Sequence, residues 1–131
     1  MTLASCGKNL VMDWMAVIKT PKAEIGDNVY IGVYSWVGEC SIGDDTMISG
    51  MVMVLSGGHH HATLLGKPMR LQKGNPHSIS IGKDCWIGVH ATIMSDVADG
   101  TVIGSGAVVT KKWESYLILA GIPAKPIGER K

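Results

Sequence analysis

Three consecutive histidines, His59, His60 and His61, are the densest concentration of reactive side chains in this 131-residue chain. A neutral imidazole accepts a proton near pH 7, so each of them has the chemistry of a general base. A shared metal ion is a rival use, but successive side chains of an extended segment point to opposite faces, and three in a row aim poorly at one ion. A solvated, His-rich turn is the structural alternative. His77 and His90 stand apart and read as surface or packing residues. Cys6, Cys40 and Cys85 are odd in number, widely spaced and free of any CxxC pair, so they read as reduced, buried small hydrophobes rather than nucleophiles or metal ligands.

The elements that must position the histidines announce themselves as a repeat. Aliphatic-Gly pairs recur at Ile25-Gly26, Ile31-Gly32, Val37-Gly38 and Ile42-Gly43, and the aliphatic series continues through Ile48 and Val54. After a gap it resumes at Ile81-Gly82, Ile87-Gly88, Ile93, Val97, Ile103-Gly104 and Val109. Steps of five and six match neither a helix, which needs three and four, nor a hairpin sheet, which alternates every two residues. A unit of six supplies one short strand and one turn, with the aliphatic inward and Gly at the bend. Three units close a triangular coil, and successive coils stack at the inter-strand spacing of about 4.8 Å. The repeat therefore predicts an all-β parallel β-helix of three to four regular coils, a small solenoid that needs its ends capped and favours self-association. The composition agrees: Gly numbers 17 and Phe is absent, as a narrow prism of Ile and Val requires.

The segment from His59 to Ser78 carries no aliphatic-Gly pair and contains Gly66, Pro68, Gly74 and Pro76. It must leave the prism as a loop, and a loop of that length in a compact repeat points to function. The chain reads as a single domain over 1–131, with 1–24 an irregular N-terminal cap and 111–131 a tail too proline-rich for a long helix. Lys and Arg total 12 against 11 Asp and Glu, so no general attraction to nucleic acid is built in. The longest apolar run, Met51 to Leu55, is far short of the roughly 18 residues of a membrane span. With no cleavable signal evident, a cytoplasmic protein is expected.

Beyond the repeat itself, Ile81-Gly82-Lys83-Asp84-Cys85-Trp86-Ile87-Gly88, the run from Val102 to Lys111, and Gly121-Ile122-Pro123-Ala124-Lys125 resemble the hexapeptide-repeat acyltransferases over residues 25–127. The shortened coil from Ile93 to Val97 is similar to the branch holding many surface-polysaccharide O-acetyltransferases, with the xenobiotic acetyltransferases close by. The resemblance implies a left-handed parallel β-helix, a homotrimer with inter-subunit active sites, and acetyl-CoA as acyl donor in the groove between subunits. It implies transfer of acetyl to a hydroxyl or amino group of a sugar or similar small polar acceptor, by direct attack and without an acyl-enzyme.

The catalytic histidine of the family lies where the last regular strand meets the long loop. Spacing from Ser56-Gly57 selects His61, a Gly-His reading selects His59, and His60 is the third candidate. Trp86 matches the tryptophan that walls the pantetheine channel. Ser105, Thr110 and Lys111 match contacts to pantetheine and adenosine, and Lys125 matches a phosphate-binding basic residue. A backbone N–H at Gly57 or Gly58 would face the developing oxyanion. The chain departs from the pattern at Gly128, which takes a second basic position and leaves Arg130 as the nearby charge. It departs again at Met51, where sugar-acting members often carry Asn, and at Trp113-Glu114-Ser115-Tyr116, which replaces a proline-rich exit. Three other classes compete: an antibiotic or xenobiotic acetyltransferase, a non-catalytic β-helix scaffold, and a zinc protein like the γ-carbonic anhydrases. The last of these uses two histidines separated by four residues, a spacing that has no counterpart here.

Overall fold

The computed structural model describes residues 3–56, 63–75 and 77–131; the histidine triplet lies outside the described residues. The chain winds through three faces in turn. The first coil is β1 (Ser5–Cys6), β2 (Val11–Met12) and β3 (Val17–Ile18). The second is β4 (Glu24–Ile25), β5 (Tyr30–Ile31) and β6 (Trp36–Val37), and the third β7 (Cys40–Ile42), β8 (Met47–Ile48) and β9 (Met53–Val54). After the loop, the fourth is β10 (Ile79–Ile81), β11 (Trp86–Ile87) and β12 (Thr92–Ile93). A fifth, opened by a bridge from Ile81 to Val97, continues through β13 (Val102–Ile103) and β14 (Val108–Val109). The chain then adds β15 (Leu117–Ala120) and turns back as β16 (Lys125–Glu129), antiparallel to β15.

Strands of successive coils pair in parallel as three sheets. Face A is β1-β4-β7-β10, face B runs from β2 through β5, β8, β11, β13 and β15 to β16, and face C is β3-β6-β9-β12-β14. The solenoid makes about six turns, more than the repeat alone counted. The difference lies at both ends. Residues 5–18, expected as an irregular cap, form a coil in register with the next one: Ser5 pairs Glu24, Val11 pairs Tyr30 and Val17 pairs Trp36. The tail likewise continues face B, with Ile118 on Val102 and Leu119 on Ile103.

The aliphatic of each repeat faces the axis. Ile25, Ile31, Val37, Ile42, Ile48, Val54, Ile81, Ile87, Ile93, Val97, Ile103 and Val109 are all buried, each contributing about 1.5–3 kcal/mol of burial. A second inward column two residues earlier is smaller and partly polar, with Ala23, Val29, Ser35, Cys40, Thr46, Val52, Cys85, Ala91 and Ala107 buried. The hydroxyls of Ser35 and Thr46 are tied to the neighbouring coil, whereas Thr101 Oγ1, buried in the same column, has no hydrogen-bond partner among the described residues. Ser35 Oγ donates to the Ser49 carbonyl at 2.9 Å and accepts from Val52 N; Thr46 Oγ1 donates to the Gly82 carbonyl at 2.8 Å and accepts from Cys85 N. Such pairing removes the desolvation cost of burying them.

The edge between faces A and B is the most regular part. Asn9, Asn28, Asp45 and Asp84 take left-handed φ there, a conformation that Asn and Asp tolerate better than most residues. Their side chains ladder from coil to coil, Asn9 Nδ2 to Asn28 Oδ1 and Asn28 Nδ2 to Asp45 Oδ1, both at 2.9 Å. Beside them the carboxylates of Asp27, Asp44 and Asp99 accept from the backbone N–H of Lys8, Asp27 and Lys83. Gly43 is required in that stack, because a Cβ would lie 2.7 Å from the backbone of Gly82 and Lys83.

Candidate active site

The third edge, between faces C and A, carries the loop. The chain leaves at Ser56 after β9 and re-enters at β10. Ser56 is anchored first: its Oγ accepts from Glu39 N at 2.8 Å on the coil before, so the root of the loop is fixed at the last described residue before the histidine triplet. Within the loop, Gln72 is buried and acts as a staple. Its amide nitrogen donates to the carbonyls of Leu64 (2.9 Å) and Lys67 (2.7 Å), and its oxygen accepts from Leu64 N at 3.1 Å. A short 3₁₀ turn at Met69–Leu71 brings Gln72 back to that position. Nothing in the local sequence marks this glutamine, because its partners are backbone groups five and eight residues away.

Thr110 and Lys111 lie on the same edge as the loop root, at the exit of β14, and both are exposed. The Lys111 ammonium sits over the Trp113 ring, 4.2 Å from its centroid. Around the pair opens a recess of about 540 Å³ lined by Lys111, Lys112, Trp113 and Glu114. Trp113 was not singled out from the sequence as a site residue; the available signal was an aromatic directly after Lys-Lys in an exit turn that lacks the expected prolines.

Trp86 is elsewhere. It projects from face B, 52% exposed, in register with Met47 and Val102, and its Nε1 donates to Ser49 Oγ at 3.3 Å. Ser105 is exposed at the edge between faces B and C, and Lys125 lies exposed on β16 opposite Ala120, directly above that corner. In a triangular prism the edge between C and A is the one opposite face B. One subunit therefore brings Thr110 and Lys111 to the loop root, and Ser105 to Lys125, but it holds Trp86 away from the loop root and from Lys111.

Arg130 does not stand free to serve an anion. Its Nη1 donates to Asp84 Oδ2 at 2.9 Å and to the carbonyls of Asp84 and Gly100, clasping the end of the chain to the regular edge. His77 and His90 are both exposed, and His90 takes a left-handed φ of 60° at the corner of faces B and C. The thiols divide. Cys40 and Cys85 are buried, and burial pushes Cys40 up to about 12 and Cys85 upward as well, so neither supplies a thiolate at neutral pH. Cys6, expected to be buried, is exposed because it sits in the first coil, which has no strand below it on face A. Among the described residues no group of three His, Cys, Asp or Glu could hold a metal ion, and no helix is long and apolar enough to cross a membrane.

The outward columns of the faces differ in kind. Face A presents Ser5, Glu24, Ser41 and Ser80, whereas face B presents Val11, Tyr30, Met47 and Trp86, and face C Val17, Trp36 and Met53.

A family model described as the hexapeptide repeat of succinyl-transferase matches residues 78–111, the segment that carries Trp86, Ser105, Thr110 and Lys111. The dTDP-4-amino-4,6-dideoxy-D-glucose acyltransferase of Escherichia coli is 32% identical over 96% of this chain and 71% of its own length. A chloramphenicol acetyltransferase of Morganella morganii is 34% identical over 84% of this chain and 55% of its own. Among solved structures, a hexapeptide-repeat-containing acetyltransferase of Vibrio cholerae O1 biovar eltor, complexed with acetyl-coenzyme A, superposes with a TM-score of 0.81 over 98% of this chain and 72% of that one. At 20% identity that last likeness carries the fold alone.

Proposed function

Because the chain belongs to the hexapeptide-repeat acyltransferases, we propose that it moves an acetyl group from acetyl-CoA to a hydroxyl or amino group of a sugar or similar small polar acceptor. The observation that carries this reading is that the family-matched segment 78–111 presents its site-type residues, Trp86, Ser105, Thr110 and Lys111, on the solvent side of coils whose opposite side is a closed aliphatic core.

The transfer is a direct displacement. A histidine of the triplet, His61 first, takes the proton of the acceptor as its oxygen or nitrogen attacks the thioester carbonyl. The tetrahedral oxyanion collapses, the C–S bond breaks and the CoA thiolate leaves, reprotonated from the same imidazole. Burial of Cys40 and Cys85 supports a mechanism without a cysteine acyl-enzyme. Ser105, Thr110 and Lys111 hold pantetheine and adenosine, Lys125 the phosphates, and Trp86 walls the thioester.

The same geometry supports the homotrimer. A site that needs Trp86 together with Lys111 must draw them from two copies, because one copy places them on opposite sides of the prism. The exposed apolar columns of faces B and C offer two different patches for such head-to-tail packing, while the serine-bearing face A suits water. Such an enzyme, spending acetyl-CoA, works in the cytoplasm.

A second reading, an acceptor of the xenobiotic type, is favoured by Met47, Met51 and Met53, which are all exposed on the third coil and would suit an apolar acceptor. The test is calorimetric titration of acetyl-CoA with the oligomer measured in the same sample, followed by thiol release against sugars, amino sugars and chloramphenicol. Saturable binding near one donor per subunit and acceptor-dependent thiol release are expected. A folded protein that binds no acetyl-CoA overturns the enzyme reading in favour of a scaffold.

A further inference from the structure

Lys111 stands at the end of a flexible four-carbon stem on an exposed edge, and an unrestrained lysine there would lose much of its rotamer freedom on gripping an anion. Here the ammonium is already placed. It lies 4.2 Å from the centroid of the Trp113 ring, within the range where the negative face of an indole attracts a cation. Trp113 itself is half-buried and packs against the aliphatic core, so its ring is a fixed platform. Packing alone is a poor account of an indole at this position. The Trp113 Nε1 is buried with no hydrogen-bond partner among the described residues, a liability that an aliphatic side chain of similar reach would not carry.

We propose that Trp113 is a positioning residue for the acyl donor: its ring pre-orders the Lys111 ammonium at the recess shared with Lys112 and Glu114, so that the adenosine held by Lys111, with the phosphate that its ribose carries, meets a charge already in place. The inference rests on the donor role of Lys111 proposed above. Trp113 touches no reacting atom; it acts through Lys111, and its effect falls on donor affinity rather than on the chemical step.

A double-mutant cycle tests the coupling. Acetyl-CoA affinity is measured by calorimetry for the unaltered protein, Trp113→Leu, Trp113→Met, Trp113→Phe, Lys111→Ala and the Lys111→Ala/Trp113→Leu double variant. Trp113→Leu and Trp113→Met are expected to bind acetyl-CoA about two- to five-fold more weakly, with KM for the donor raised and kcat unchanged. Trp113→Phe, which keeps a ring, is expected to restore most of the affinity. In the Lys111→Ala background the Trp113 substitution is expected to cost nothing further. A Trp113 deficit of equal size with and without Lys111, or full affinity in both Trp113→Leu and Trp113→Met, overturns the positioning role while leaving the donor reading intact. Lys111→Ala binding as tightly as the unaltered protein overturns the donor role of Lys111 and the positioning role with it. Trp113→Met fills the site without an aromatic face, so the cycle survives if Trp113→Leu does not fold.

Discussion

The edge between faces A and B and the edge between faces C and A solve the same geometric problem in opposite ways. On the first, four coils turn with a Gly, an Asp or Lys, and a left-handed Asn or Asp, and Asn and Asp side chains tie the first coil to the second, the second to the third and the fourth to the fifth. On the second, no two coils turn alike: the connections run over 19–23, 38–39, 55–78, 94–96 and 110–116. A turn that is bonded to its neighbours cannot change length without breaking a ladder. The edge that is free to vary is the one that carries the extruded loop, Thr110, Lys111 and Trp113. Regularity here marks the part that holds the prism together, and irregularity marks the part available for chemistry.

That contrast is open to direct attack. The largest expected effect is on turnover: His61→Ala, in the segment that the irregular edge's root leads into, lowers it by about 10²- to 10⁴-fold while acetyl-CoA affinity and melting temperature stay unchanged. Unaltered turnover in a thiol-release assay would move the base to His59 or His60. Next comes alkaline instability centred on Cys40, at the start of β7 on face A. Its folded pKa, about 12, lies above the ordinary 9.0, so its contribution to stability is fully present below pH 9.0 and is lost as pH rises toward 12, the unfolded thiol ionising first. Denaturant midpoints from pH 8 to 11 are expected to fall more steeply for the unaltered protein than for Cys40→Ala. On the regular edge, Gly43→Ala forces a methyl against the Gly82 and Lys83 backbone and is expected to cost about 1–3 kcal/mol in urea unfolding, with donor affinity per folded molecule intact. Smallest is Asn28→Ala, which removes two ladder bonds and places Ala at a left-handed φ of 56°. It is expected to lose about 1 kcal/mol, and a stabilised Asn28→Ala protein would show that the ladder does not hold this edge.

The inward aliphatic column was legible because each Ile or Val is stamped by a Gly or a fixed step, and every one of them is buried. The first coil was not. Met12 is followed by Asp13 and Ile18 by Lys19 rather than Gly, and its apolar residues Val11, Met12, Trp14 and Val17 are all exposed, so hydrophobicity there obscures the period instead of revealing it. The second inward column escaped notice for the opposite reason: Ser35 and Thr46 look like surface residues until their backbone partners on the next coil are known. Of the site, the individual residues could be matched one by one, but not their separation. That Trp86 and Lys111 fall on opposite sides of the prism depends on which face each strand joins. The exposure of Cys6 and the engagement of Arg130 by Asp84 were hidden in the same way, since both are set by contacts between distant coils.

The long connection between β9 and β10 leaves the register undisturbed: Met53 and Val54 still pair with Thr92 and Ile93, as Trp36 and Val37 pair with Met53 and Val54 one coil earlier. The insertion is thus thermodynamically nearly silent. Closing a loop twice as long adds only about 0.6 kcal/mol of entropy, so residues can be gained, lost or exchanged between coils three and four at little cost to the scaffold. For an evolving lineage, change can be confined to one segment while the winding on either side of it is inherited whole.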